Sequence, residues 1–360
     1  MPRLDDVEFL SDEGSPQPDD DLLELGRRRR YPRWAWLIAL AALAGLVAAA
    51  IVSRPSAHNH PGAAGPTPTP TFTPDFDAVA SAMAIDVAVA GHETWVLHFD
   101  RISLVDDRSA VRASAPYHPD VTDADPDQQL LVDPAAGVAW VVVAGATGGE
   151  VIEYDAFTLH EQRIVPIGEV TGAAVFGGRL YLASGRLLVA IAPGAEPRTV
   201  ATSPTGVFYG VAGDRADDRL FVLDAGWPTT VWSLRPGGRL DAVVGTLTLG
   251  KGSLAVAAGR LWVGGYGPRG AVLERVLPGT PFRSRLADQL GPGALVVAAG
   301  ERVVWVRDGA GGSGLWCIDA ITGRTAQYWD LIGPVSSTSG VAVVATPGGP
   351  VHLHLSGCAG

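Results

Sequence analysis

A chain of 360 residues with a formal charge of −11 has no dense cationic face for phosphate, which argues against a nucleic-acid role. Apolar residues at 47% allow a sizeable core, and Lys251 is the sole lysine, so arginine carries almost all the positive charge. The two cysteines, Cys317 and Cys358, form no C-x-x-C spacing, so neither a zinc site nor a dithiol redox motif is supported.

The first segment is acidic. Residues 1–26 set Asp5, Asp6, Glu8, Asp12, Glu13, Asp19, Asp20, Asp21 and Glu24 against Arg3, and such a stretch cannot bury enough apolar surface to offset chain entropy. It reads as a disordered tail whose one contact motif is Leu22, Leu23 and Leu25.

From Trp34 to Val52 the chain runs 19 residues without a charge, and a helix of that length spans roughly 28 Å, the thickness of a bilayer core. Arg27, Arg28, Arg29, Arg30 and Arg33 precede it and Arg54 alone follows, so the positive-inside rule puts the N-terminus in the cytoplasm and the rest outside. The competing reading is a cleaved signal, with small residues at Ala48, Ala49 and Ala50 and a loose twin-arginine box from Arg28 to Arg33; the long lead and the long apolar run favour the anchor. Alternating Pro and Thr from Pro66 to Pro74 favour an extended linker, long enough over residues 54–75 to hold a globular domain about 60–70 Å from the lipid. His58 and His60 there offer too few ligands for a metal.

Beyond the linker the chain repeats. Trp95, Trp140, Tyr181, Phe221, Trp262, Trp305 and Val343 each sit inside a short apolar run, at intervals of 38 to 45 residues. A strand-rich unit of that period is one four-stranded blade of a β-propeller, stable only when stacked in a ring. The fourth unit is the clearest: residues 206–214, 219–224, 229–234 and 241–249 are four strand-like runs punctuated by Gly, Pro and Asp. The seventh has only 340–346 and 351–357, so the stretch from Phe76 to Ala84 is expected to supply a closing strand and remove two open sheet edges. The expected fold is all-β, a seven-bladed β-propeller with six or eight blades as alternatives. Its segments are a tail at 1–33, a transmembrane helix at 34–53, a linker at 54–75 and the propeller at 76–360.

The aromatic second strand, Gly-rich turn and acidic residue before a tight turn resemble extracytoplasmic propeller repeats of the PQQ-like and YVTN type. The best match is Cys317-Ile318-Asp319-Ala320-Ile321-Thr322-Gly323-Arg324, similar to the Ala-x-Asp-x-x-Thr-Gly-Lys core of the quinoprotein tryptophan-docking repeat, with a degenerate copy from Tyr154 to Thr158. The third to fifth units instead end their third strands in Pro193-Gly194, Pro236-Gly237 and Pro278-Gly279. The resemblance concerns architecture, and it implies that Asp319 and Thr322 shape a turn and hold neighbouring blades together.

Chemistry is sparse. No set of axial carboxylates and amides suits a calcium-bound quinone, so no cofactor and no metal are expected. His352 and His354 point to one face of a strand but lack an evident third ligand. His92 and Glu93 read as solvated loop residues. Cys317 and Cys358 are a possible disulfide between the sixth and seventh units. The loops joining second and third strands offer a candidate binding rim of Trp227, Tyr266, Arg269, Arg307 and Asp308, because aromatics and arginine carry a large share of contact energy. A protein, peptide or carbohydrate is the expected partner, with the membrane bound through residues 34–53. The chain thus reads as a membrane-anchored binding or scaffold module of the bacterial cell envelope. Catalysis by a metal-dependent lyase or hydrolase in the central funnel, and transmembrane signal relay, are the alternatives.

Overall fold

The computed structural model describes residues 84–106, 110–119, 127–145, 148–226, 228–235, 237–247, 251–267, 270–276, 282–283, 295–307, 315–328, 334–337, 341–346, 349–354 and 358. The tail, the membrane segment and the linker lie outside them. Among the described residues no helix is long and apolar enough to cross a membrane. The chain divides into units at Met1–Thr71 and Phe72–Gly360, and the second contains every described element.

The first sheet sets the plan: Ala84–Ala90, Glu93–His98, Arg101–Val105 and Val111–Pro116 pair antiparallel in chain order. Gly91, at φ 63°, makes the first tight turn, a conformation that costs glycine nothing. Burial follows position in the sheet. Trp95, Val96 and Leu97 of the second strand are buried, whereas the fourth strand alternates between exposed and half-buried residues. A middle strand has neighbouring sheets on both faces, and an outer strand does not.

Five more four-stranded sheets repeat this meander over residues 127–167, 172–202, 208–247, 251–283 and 295–328, and a three-stranded sheet follows at Val335–Ser337, Val341–Thr346 and Gly349–His354. The first strands of successive sheets lie side by side, and Val335–Ser337 returns to touch Ala84–Ala90. That is the radial closure of a β-propeller, with six complete blades. Val335–Ser337 lies innermost in the last sheet, and its Pro-Val-Ser-Ser context carries no apolar alternation, so the sequence shows only its two outer neighbours. The expected closing strand from Phe76 to Ala84 lies outside the described residues except for Ala84, which opens the innermost strand of the first blade.

The periodic residues are the mortar of the ring. Each occupies the third position of a second strand and packs into the cluster joining its sheet to the next. Trp95 meets Tyr154 and Ala156, Trp140 meets Leu180 and Ile191, and Tyr181 meets Phe208 and Val222. Phe221 meets Leu254 and Val263, and Trp262 meets Val304 and Ile318. Trp305 meets Val335 and Ala342, while Val343 meets Val87 and Val96 of the first blade. A large ring at this position buries more apolar area than any other residue, so the recurrence follows from the packing need.

Polar ties supplement this packing. The Trp95 indole Nε1–H donates to the Ala156 carbonyl at 2.6 Å. Arg260 Nη1 donates to the carbonyls of Ala320 at 2.7 Å and Ile321 at 3.0 Å. Arg163 Nη2 donates to the Ala192 and Ala195 carbonyls. In all three cases a blade grips the turn between the third and fourth strands of the blade after it. Trp140 is equally buried, but among the described residues its Nε1 has no acceptor. Trp95→Phe is therefore expected to cost about 1–3 kcal/mol more than Trp140→Phe, because it also orphans a buried carbonyl. Urea unfolding of both variants measures the difference, and equal costs would refute the role of the indole bond.

Candidate functional site

In an antiparallel meander, alternate turns emerge at opposite ends. The turns between second and third strands therefore share one face with the connections between blades, and the first–second and third–fourth turns share the other. The candidate rim belongs to the first face.

The rim loop of the fourth blade is anchored at its base. Asp224, fully buried, accepts from Ser203 Oγ at 2.6 Å and Thr205 Oγ1 at 2.8 Å through Oδ2, and from the Gly226 amide at 3.1 Å through Oδ1. A side chain at Gly226 would collide with Thr205, so glycine is required where the loop crosses the inter-blade connection. Tyr266, near the end of its strand, is 49% exposed. Arg307 ends Val303–Arg307 and is exposed. Trp227, Arg269 and Asp308 lie outside the described residues.

Arg307 leads to a residue that sequence reasoning missed. Asp86 lies on the innermost strand of the first blade beside an irregularity in its pairing. Its Oδ2 accepts from the Leu130 amide of the second blade at 2.7 Å and its Oδ1 from the Val87 amide at 2.8 Å. Burial pushes the Asp86 carboxyl up to about 7, against the lowering effect of those two amides and of the Arg307 charge. The sequence signal was a lone carboxylate in the apolar run Ile85–Ala90, which period-two reading passes over.

Asp86 makes stability depend on pH. The native state keeps the proton up to about pH 7, while the unfolded chain releases it near pH 4, so the contribution is complete below pH 4 and is lost as pH rises through 7. The slope is at most about 1.4 kcal/mol per pH unit over that window, lessened because Asp86 remains partly accessible. Asp86→Asn should flatten the stability profile between pH 4 and 7, as read by denaturant titrations. An unchanged slope would remove Asp86 as its source.

The innermost strands enclose an axial cavity of about 470 Å³. Its walls are small, including Ala88, Gly172, Gly210 and Ala255, with Gln129 and Ser253 among the polar residues. Gly172 packs so close to the Tyr209 carbonyl that no Cβ would fit. Among the described residues no three His, Cys, Asp or Glu side chains converge as metal ligands.

The turn motifs act as structure. Asp319 Oδ1 accepts from the amides of Ile321 at 2.9 Å and Thr322 at 2.8 Å, and its Oδ2 meets Arg302 Nε at 2.9 Å. Burial pushes this carboxyl up, but the two amides and the guanidinium outweigh it and hold the group below the usual carboxylate range. Asp155 is also lowered, chiefly by the Thr158 amide and then by its hydroxyl. Glu93 pairs with Arg112 at 2.9 Å. His352 and His354 lie opposite Val343 and Val341 in the last sheet, with side chains outside the described residues. Cys317 and Cys358 form a disulfide with Cα atoms 5.5 Å apart.

No protein-family model matches the chain, and no curated protein matches it. Solved structures do. PorZ, a bacterial surface component of the type-IX secretion system of Porphyromonas gingivalis, aligns over 76% of the chain at 13% identity with a TM-score of 0.53. The aligned region is 37% of the PorZ chain. Hydrazine synthase of Kuenenia stuttgartiensis aligns over 76% of this chain and 96% of its own, at 11% identity and a TM-score of 0.58. A catalytically inactive virginiamycin B lyase of Staphylococcus aureus, bound to quinupristin, aligns over 74% and 92%, at 12% identity and a TM-score of 0.53. At such identities the likeness is one of fold, and the class is the β-propeller.

Proposed function

We propose that the protein is a membrane-anchored, extracytoplasmic propeller that binds a ligand or protein as a scaffold module of the bacterial cell envelope. In this reading the three-stranded sheet is a seventh blade, completed by residues before Ala84. The apolar run at 34–53 with its arginine flank and the Pro/Thr-rich linker support the anchoring. A disulfide between Cys317 and Cys358 suits an oxidising compartment. The turns around Asp155 and Asp319 support kinship with PQQ-like and YVTN repeats.

One observation carries the binding role. Tyr266 and Arg307 both stand exposed at strand ends on the rim face, and the Arg307 charge is felt by Asp86 on the innermost strand of the first blade. An exposed aromatic and an exposed arginine on one face are the composition of a contact hot spot. The test is recovery of partners from an envelope extract by the full-length chain, against a variant carrying Trp227→Ala and Tyr266→Ala. Loss of a specific partner from the variant supports the rim. Equal recovery by both forms refutes it.

A further inference from the structure

A second concavity lies on the opposite face, where the third blade meets the fourth. At three other junctions on that face a large side chain from one blade reaches the third–fourth turn of the next, as Trp95 reaches Ala156. In the third blade the corresponding residue is Tyr181, and the turn it would meet contains Gly237 and Gly238 in place of the Asp-Ala-Phe-Thr sequence at Asp155–Thr158. The turn presents Gly237 and Gly238 to a groove of about 710 Å³ that Tyr181 also lines.

The groove has an apolar floor and a cationic rim. Phe176 and Tyr181, with ring centres 6.4 Å apart and planes tilted by 54°, form the floor with Leu220 and Leu234. Arg179 and Arg198 line it, both exposed, and neither forms an ion pair among the described residues. The lining carboxylate, Glu196, faces Arg163 at 3.9 Å. The volume is that of a small-molecule site, and two exposed guanidiniums lining a groove with an aromatic floor match a planar ring bearing a carboxylate.

We propose that this groove binds a small aromatic carboxylate, its ring lying on the floor of Phe176 and Tyr181 and its carboxylate held by Arg179 and Arg198. The site is independent of the rim on the other face. Occupancy would add an aromatic ring to a junction that carries a phenol in place of tryptophan.

The probe is indole-3-acetate, titrated calorimetrically into the full-length chain, with tryptamine as the same ring of opposite charge. Saturable binding at one site is expected, at least about tenfold tighter than tryptamine. Arg179→Ala with Arg198→Ala should weaken it about tenfold or more without changing the melting temperature, since both side chains are exposed. Tyr181→Trp should narrow the groove over its floor and weaken binding. Absence of saturable binding at millimolar probe, equal affinity for tryptamine, or undiminished binding by the arginine variant would each overturn the proposal. The arginine variant decides it even where Tyr181→Trp fails to fold.

Discussion

Replacing Arg163 with methionine is expected to destabilise the propeller by about 3–5 kcal/mol, because it strands a buried carboxylate. The Glu153 side chain is 1% exposed and meets Arg163 Nε at 3.0 Å. Its other oxygen accepts from the Gly194 amide at 2.8 Å, across the junction with the third blade. Arg163 itself reaches the carbonyls of Ala192 and Ala195 in the same turn, so the pair clamps that turn from two sides. Removing the cation leaves the anion without its compensating charge, and a solvated alternative is closed by packing. Adding Glu153→Gln should restore most of the loss, since a neutral amide keeps an oxygen for Gly194. Denaturant unfolding of the single and double variants measures the coupling. A loss under about 1 kcal/mol, or no recovery in the double variant, would mean that the clamp contributes little.

Cys358→Ser is expected to cost roughly 4 kcal/mol, the chain-entropy value for a loop closed over a separation of 41 residues. For a domain of this size that lowers the melting temperature by roughly 5–10 °C. Both cysteines lie in the cluster that joins Trp305 to Val335 and Ala342, so the bridge holds the three-stranded sheet against the sixth blade. Reductant should lower the melting temperature of the natural chain by the same amount and leave the variant unchanged. A reductant effect that persists in the variant would show that the loss has another source.

The two predictions concern junctions, and the junctions divide what could be read from the residues from what could not. The position of Trp95, Trp140 and Trp262 in their strands was legible because one large apolar side chain per unit repeats at a regular interval. The turn at Asp319 was legible for a similar reason: an Asp followed by Thr-Gly has a local hydrogen-bonding logic, and the amides of Ile321 and Thr322 fulfil it. Val335–Ser337 was not legible, since three residues carry no measurable period. The innermost strand is defined by the neighbours it touches, Ala84–Ala90 and Leu295–Ala299, which lie far from it in sequence.

Asp86 and Arg307 make the contrast sharper. More than two hundred residues separate them, and only ring closure brings the last units beside the first, so no local pattern couples their charges. Likewise Arg179 and Arg198 are ordinary surface residues in the sequence, and Gly237 an ordinary turn glycine; the groove they share exists because two adjacent blades depart from the pattern in complementary ways. The repeat period, the strands and their apolar faces were determined by the sequence itself, because each depends on neighbours within one meander. The pairing of carboxylates with guanidiniums, the axial cavity and the gap between the third and fourth blades were decided only by the tertiary structure, because each depends on distances between blades that chain separation does not encode.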